Sequence, residues 1–247
     1  MRHKWSSNDK DRGQPMRSVL VLIGLACYPL AWRQDSKEAE DLYRKMEEKL
    51  LKAKTIALKV NVKMEGEVKS EMKGELLVEP AAHKLRYEVE GQAGGMPAQK
   101  KVISNGGKMK SYGFGGTYWA EDLDASLSGP NFIAAFTRLG LHRGIELRGS
   151  IRGGFDVQKQ TTISGVKAIR REKLGGKDTL VTEVTVQVAT PGGTSNQKVM
   201  LWIDEKTSLP VKSFRDMSAE LQWTLTEEFT DLNIDGPIEA GKFQFPN

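Results

Sequence analysis

The sequence predicts a mainly β fold with a few helices, on three observations. Ile56, Leu58, Val60, Val62 and Met64 alternate without a break against Thr55, Ala57, Lys59, Asn61 and Lys63, the period of a strand with one apolar and one wet face. The alternation returns in Met72, Leu76 and Val78 against Lys73, Glu75 and Leu77, and again in Leu85, Tyr87 and Val89 against Lys84, Arg86 and Glu88. Turn-forming residues separate these runs, so neighbouring strands are expected to pair antiparallel into a sheet with one apolar face. Whether protein or cargo covers that face is the functional question.

At the N-terminus, residues 1–33 read as a leader. The apolar run from Val19 to Ala26 follows Arg17 and precedes Trp32 and Arg33; it is short for a membrane-spanning helix and suits the core of a signal peptide. Met16 opens a more ordinary leader, which makes residues 1–15 a candidate over-called start. The remainder, 34–247, is expected to be one domain, because roughly 210 residues suffice to bury a sizeable core. Residues 1–17 carry a net +3 of the chain's +5. The rest is close to balanced, which argues against nucleic acid as a partner, since that needs a clustered basic footprint.

Cys27 is the single cysteine and cannot form an internal disulfide. Its surroundings resemble a bacterial lipoprotein box, in which an apolar residue and two small ones precede an acylated Cys. Leu25 and Ala26 fit, Gly24 stands where Leu is usual, and Tyr28-Pro29 is an unusual follow-on. Cys27 is therefore a candidate for lipidation and membrane attachment, with ordinary cleavage nearby or a retained anchor as alternatives.

Asp35 with Glu38 marks a helix start, and Leu42, Tyr43, Met46, Leu50 and Leu51 form a helical stripe through about Ala53. Strands are expected near 55–64, 68–78, 84–90, 100–104, 108–113 and 117–120, with turns at Glu65-Gly66, Glu79-Pro80, Gly94-Gly95 and Asn105-Gly106-Gly107. A second helix is signalled by Ser128 as cap, Pro130 in the first turn, Phe132, Ile133, Phe136 and Leu139 on one face, and Gly140 as the stop. Leu141 to Gly154, with three Arg-Gly pairs and no interleaved aromatics, reads as a mobile surface loop rather than an RNA-binding tract. From Phe155 onward the β pattern returns, most clearly in 179–188, 198–203, 211–216 and 221–229.

Catalytic signals are sparse. His3, His83 and His142 are scattered without metal-ligand spacing, and neither a nucleophile elbow nor a phosphate-binding loop is present. No metal, cofactor or enzymatic activity is expected. Acidic pairs such as Asp122 with Asp124 and Glu227 with Glu228 are explained by solvated strand ends. Trp119, Trp202 and Trp223 on half-buried strands are either core or the lining of an apolar cavity. The helix bearing Phe132 and Phe136 is likewise either a core plug or a lid.

Several short segments resemble the LolA/LolB-like superfamily of periplasmic lipoprotein carriers. These are Gly74 to Pro80 with Lys84 to Glu88, Val102 to Lys108, Leu201 to Asp204, Leu209 to Lys212, Phe229 to Leu232 and Phe243 to Pro246. The resemblance implies an incomplete, half-open antiparallel β-barrel covered by helices, whose concave apolar face binds acyl chains. Two positions depart from the carriers: Glu79 precedes Pro80 where they have arginine, and Leu77 replaces a frequent Trp. A relative binding another lipid or hydrophobic ligand fits better than a dedicated lipoprotein shuttle.

The expected function is an exported, non-enzymatic carrier, in the periplasm or cell envelope, that holds a lipid, lipoprotein acyl chains or another hydrophobic ligand. The expected cavity lining comprises Leu58, Val60, Val62, Met72, Leu76, Val78, Leu85, Tyr87, Val89, Trp119, Phe132 and Phe136. The alternative is an envelope-stress sensor that binds a protein partner through the same fold.

Overall fold

The computed structural model describes residues 28–112, 118–121, 129–142, 145, 156–190, 193–217 and 222–246. Helix α1 (Tyr28–Lys52) starts upstream of the expected Asp35, with Pro29 in its first turn, where a missing N–H costs no hydrogen bond. Tyr43, Met46 and Leu50 are fully buried along its inner stripe, whereas Leu51 is 37% exposed and lies off that stripe. Lys49 Nζ donates to Thr207 O at 2.9 Å, tying the helix to a barrel turn.

A meander follows: β1 (Ile56–Glu65), β2 (Ser70–Glu79), β3 (Lys84–Ala93), β4 (Met96–Asn105), β5 (Met109–Tyr112) and β6 (Tyr118–Glu121). A single 3-10 turn at Pro80–Ala82 separates β2 from β3. Helix α2 (Pro130–Leu139) and the short α3 (Val157–Gln160) then precede a second meander. It comprises β7 (Thr161–Leu174), β8 (Lys177–Thr190), β9 (Gly193–Asp204), β10 (Pro210–Asp216) and β11 (Thr224–Ile234). Ser128, the expected cap of α2, lies outside the described residues; Gly129 occupies the position before the helix. Gly94-Gly95 and Gly175-Gly176 both have positive φ, the paired left-handed geometry that suits a two-residue hairpin to strand twist.

All eleven strands join one antiparallel sheet in the order β6-β5-β4-β3-β2-β1-β11-β10-β9-β8-β7. Among the described residues β6 and β7 do not pair with each other, so the barrel is incomplete. The registers stack the inward residues in rows, for example Leu58, Leu76, Tyr87 and Val102 across β1 to β4. Curvature comes from two glycines on the inner face. A Cβ on Gly74 would lie 1.8 Å from Glu88 O, and one on Gly91 would lie 2.0 Å from Glu71 O. The backbones of β2 and β3 therefore approach more closely there than any side chain permits, as at a barrel corner.

The helices lie against the concave face. α1 packs on β7 and β9, while α2 sits among α1, α3 and β8. One hydrophobic core runs through both meanders and the helices, which follows from strands that each offer one apolar face to a common interior. A smaller cluster of Val181, Trp202 and Val211 lies apart from it. There the Trp202 indole N–H donates to Glu172, and Lys212 and Arg170 approach its ring at 5.3 and 6.0 Å. The C-terminal segment crosses β3 and β4, burying Phe243 beneath Lys84, and Arg86 donates to Lys242 O at 3.1 Å.

Candidate ligand-binding site

Period-2 patterning directs Leu58, Val60 and Val62 of β1, Met72, Leu76 and Val78 of β2, and Leu85, Tyr87 and Val89 of β3 to the concave side. All nine are buried in the main core, together with Phe132 and Phe136 of α2. Trp119 belongs to β6, but its side chain is not among those described, and Cys27 lies outside the described residues. The structure thus brings eleven of the twelve expected lining residues into one apolar region.

Helix α2 fills that region. Phe132, Ile133, Ala134, Ala135, Phe136 and Leu139 are all buried, so the helix is enclosed on every side rather than resting on the sheet by one stripe. The Phe132 and Phe136 rings stack at 6.4 Å between centroids, and Phe136 meets Phe229 of β11 edge-on at 5.2 Å. In this conformation the helix is a plug.

Two polar networks hold it. On the α1 side, Arg138 Nε donates to Glu47 Oε1 at 2.9 Å, and Arg138 Nη1 donates to both Thr161 O and Thr161 Oγ1 at 3.1 Å. Tyr43 lies beside this pair; burial, then the nearby Glu47 carboxylate, pushes its phenol well above the ordinary tyrosine range. On the sheet side, Glu227 of β11 is fully buried. Its carboxylate accepts hydrogen bonds from Leu141 N, His142 N and Ser213 Oγ, while the Tyr87 hydroxyl and His142 Nδ1 are 2.9 Å apart.

Glu227 was expected at a solvated strand end and is instead interior. It stands between the inward-facing Leu225 and Phe229 and opposite Val62. The alternation Leu225, Glu227, Phe229 carries that placement in the sequence. The expected loop beginning at Leu141 is also corrected at its start, because Leu141, His142 and Ile145 are buried. The sequence-derived lining missed the second meander's share of the interior: Val184, Val186, Leu201 and Phe229. Trp202, weighed as cavity lining, packs in the separate cluster, and Trp223 is partly buried at the margin of the main core.

Glu79, where the carriers have arginine, pairs with Lys84 at 2.9 Å. A groove of about 430 Å³ crosses β1, β2, β3 and β11, where Lys63, Glu71, Lys73 and Glu90 stand beside Val62 and Met72. Among the described residues, no group of three or more His, Cys, Asp or Glu side chains is placed to hold a metal ion. No described helix is long and apolar enough to cross a membrane.

No family model matches the chain, and no curated protein matches its sequence. Among solved structures, the chain is similar to LprF from Mycobacterium bovis, with 14% identity over 86% of this chain and 98% of that one, at a TM-score of 0.49. A DUF1329 family protein from Desulfovibrio piger shows 12% identity over 85% and 97% of the two chains, at a TM-score of 0.37. A LolA superfamily protein from Nitrosomonas europaea shows 12% identity over 84% and 97%, at a TM-score of 0.36.

Proposed function

We propose that this protein is an exported, non-enzymatic carrier that holds a lipid, lipoprotein acyl chains or another hydrophobic ligand in its half-open barrel. The observation that carries the reading is α2, a helix enclosed within the barrel's concave apolar face. A ligand that displaces it meets Leu58, Leu76, Leu85, Tyr87 and their neighbours. Each acyl methylene moved out of water contributes about 0.8 kcal/mol, so a chain of about sixteen carbons supplies on the order of 10 kcal/mol toward moving the helix, and no catalytic group is required. Export rests on the Val19 to Ala26 run, and attachment to a membrane on Cys27.

The test is native mass spectrometry of the protein purified from the cell envelope, with titration of a neutral apolar fluorophore such as N-phenyl-1-naphthylamine. The expected result is a lipid-sized mass increment, lost on delipidation, and saturable fluorophore binding that a long-chain lipid reverses. Absence of both, with a stoichiometric protein complex in their place, would move the assignment to a partner-binding envelope sensor.

A further inference from the structure

The last turn of α2 ends at Gly140, with φ 83°, and the chain turns there directly over the Glu227 carboxylate. A Cβ on Gly140 would stand 3.0 Å from Glu227 Oε2 and 3.6 Å from Arg215 Cδ. The next two backbone N–H groups both donate to Glu227, Leu141 N to Oε2 at 3.0 Å and His142 N to Oε1. Ser213 Oγ adds a third bond to Oε2 at 2.6 Å. These donors matter because a buried carboxylate is tolerated only while its hydrogen bonds are made. Two of the three belong to the segment that must move if α2 is to leave the barrel.

On this basis, and resting on the carrier reading above, we propose that Glu227 is the latch that keeps α2 in the concavity. Opening at this end removes backbone donors from a fully buried carboxylate, so closure is favoured until a ligand offsets the loss. The Tyr87 hydroxyl, on His142, braces the same segment from β3. At the other end of α2 the ties run to the other helices: Asn131 Oδ1 accepts from Gln158 N of α3 at 3.3 Å. In its last turn Arg138 ties α2 to Glu47 of α1 and to Thr161 at the start of β7, and the hold at Gly140 to His142 acts beside that tie in keeping the barrel shut.

The test compares wild type with Glu227→Gln, Ser213→Ala and Tyr87→Phe by hydrogen exchange and by N-phenyl-1-naphthylamine binding. In Glu227→Gln the amide NH₂ turns a donor toward existing donors, so α2 amides should exchange about tenfold faster, as expected for loss of one charge-assisted hydrogen bond. Leu58 to Val62 should stay within about twofold of wild type on the same scale, and fluorophore binding should be faster. Ser213→Ala and Tyr87→Phe should move both readouts the same way by smaller factors. If Glu227→Gln does not fold, the other two variants decide. Unchanged α2 exchange in the folded variants, or equal acceleration of α2 and β1, overturns the latch. Faster α2 exchange with no fluorophore bound by any form, wild type included, leaves the latch standing and overturns the carrier reading.

Discussion

Two inward glycines set the curvature of the barrel, and their effect is testable one methyl group at a time. Gly74→Ala and Gly91→Ala would each push a Cβ into a neighbouring backbone carbonyl, and each should cost about 1–3 kcal/mol, the usual penalty for overpacking, read as a lower denaturant midpoint. Asp204 offers a pH-dependent counterpart. Burial pushes its carboxyl up, but the N–H groups of Thr207 and Lys206 outweigh burial and hold it below the ordinary aspartate range. A carboxyl lowered on folding contributes stability above its unfolded pKa and loses it as pH falls through the folded pKa. Asp204→Ala should therefore cost about 1–2 kcal/mol at neutral pH, and the gap to wild type should close in acid, as urea titrations across pH would show. At this scale the sequence was legible wherever parity was followed through. It failed at Glu227, where charge was read as exposure although the alternation of Leu225 and Phe229 pointed inward.

For whole elements, legibility followed the regularity of the pattern. β1 and β3 were evident because their apolar and polar residues alternate cleanly, and β2 was evident despite Gly74 and the buried Leu77. β7 was not, because its register shifts between Ile163 and Gly165 and again between Ala168 and Arg170, and each bulge inverts the alternation that would have revealed it. The α2 segment was legible from Pro130 to its glycine stop, but its choice between plug and lid depends on what surrounds it, which periodicity does not encode. Its tie to α1 can be isolated by mutation. Arg138→Leu would leave the Glu47 carboxylate buried without its close partner, a change that should cost about 3 kcal/mol. The double variant Glu47→Leu with Arg138→Leu should recover much of that loss, and the comparison needs only equilibrium denaturation of the two proteins.

Across the whole molecule, an open sheet must manage its free edges. β7 is long, with Ile169 45% exposed, yet it carries Lys167, Arg170 and Lys173 together with its two bulges, the features that discourage edge-to-edge pairing. Replacing these three cations by Thr should produce association that grows with concentration, seen by sedimentation velocity, while the monomer fold is retained. The main core is shared by both meanders, and the joining of those meanders through β1 and β11 was not legible, because no local pattern specifies pairing between distant strands.

That joining also bears on how the chain reaches its fold. Every strand contact in the order β6 to β7 unites sequence neighbours except β1 with β11. Each meander can therefore grow hairpin by hairpin at little loop-closure cost, and one seam, bolted where Lys54 N meets Asp235 Oδ1 at 2.7 Å and Thr55 Oγ1 meets Gly236 O at 2.6 Å, has to close the long intervening loop. Non-local pairings of this kind set folding rates. Thr55→Val and Asp235→Ala should accordingly slow refolding more than they speed unfolding, and a stopped-flow chevron in which only the unfolding arm moved would place the rate-limiting event elsewhere.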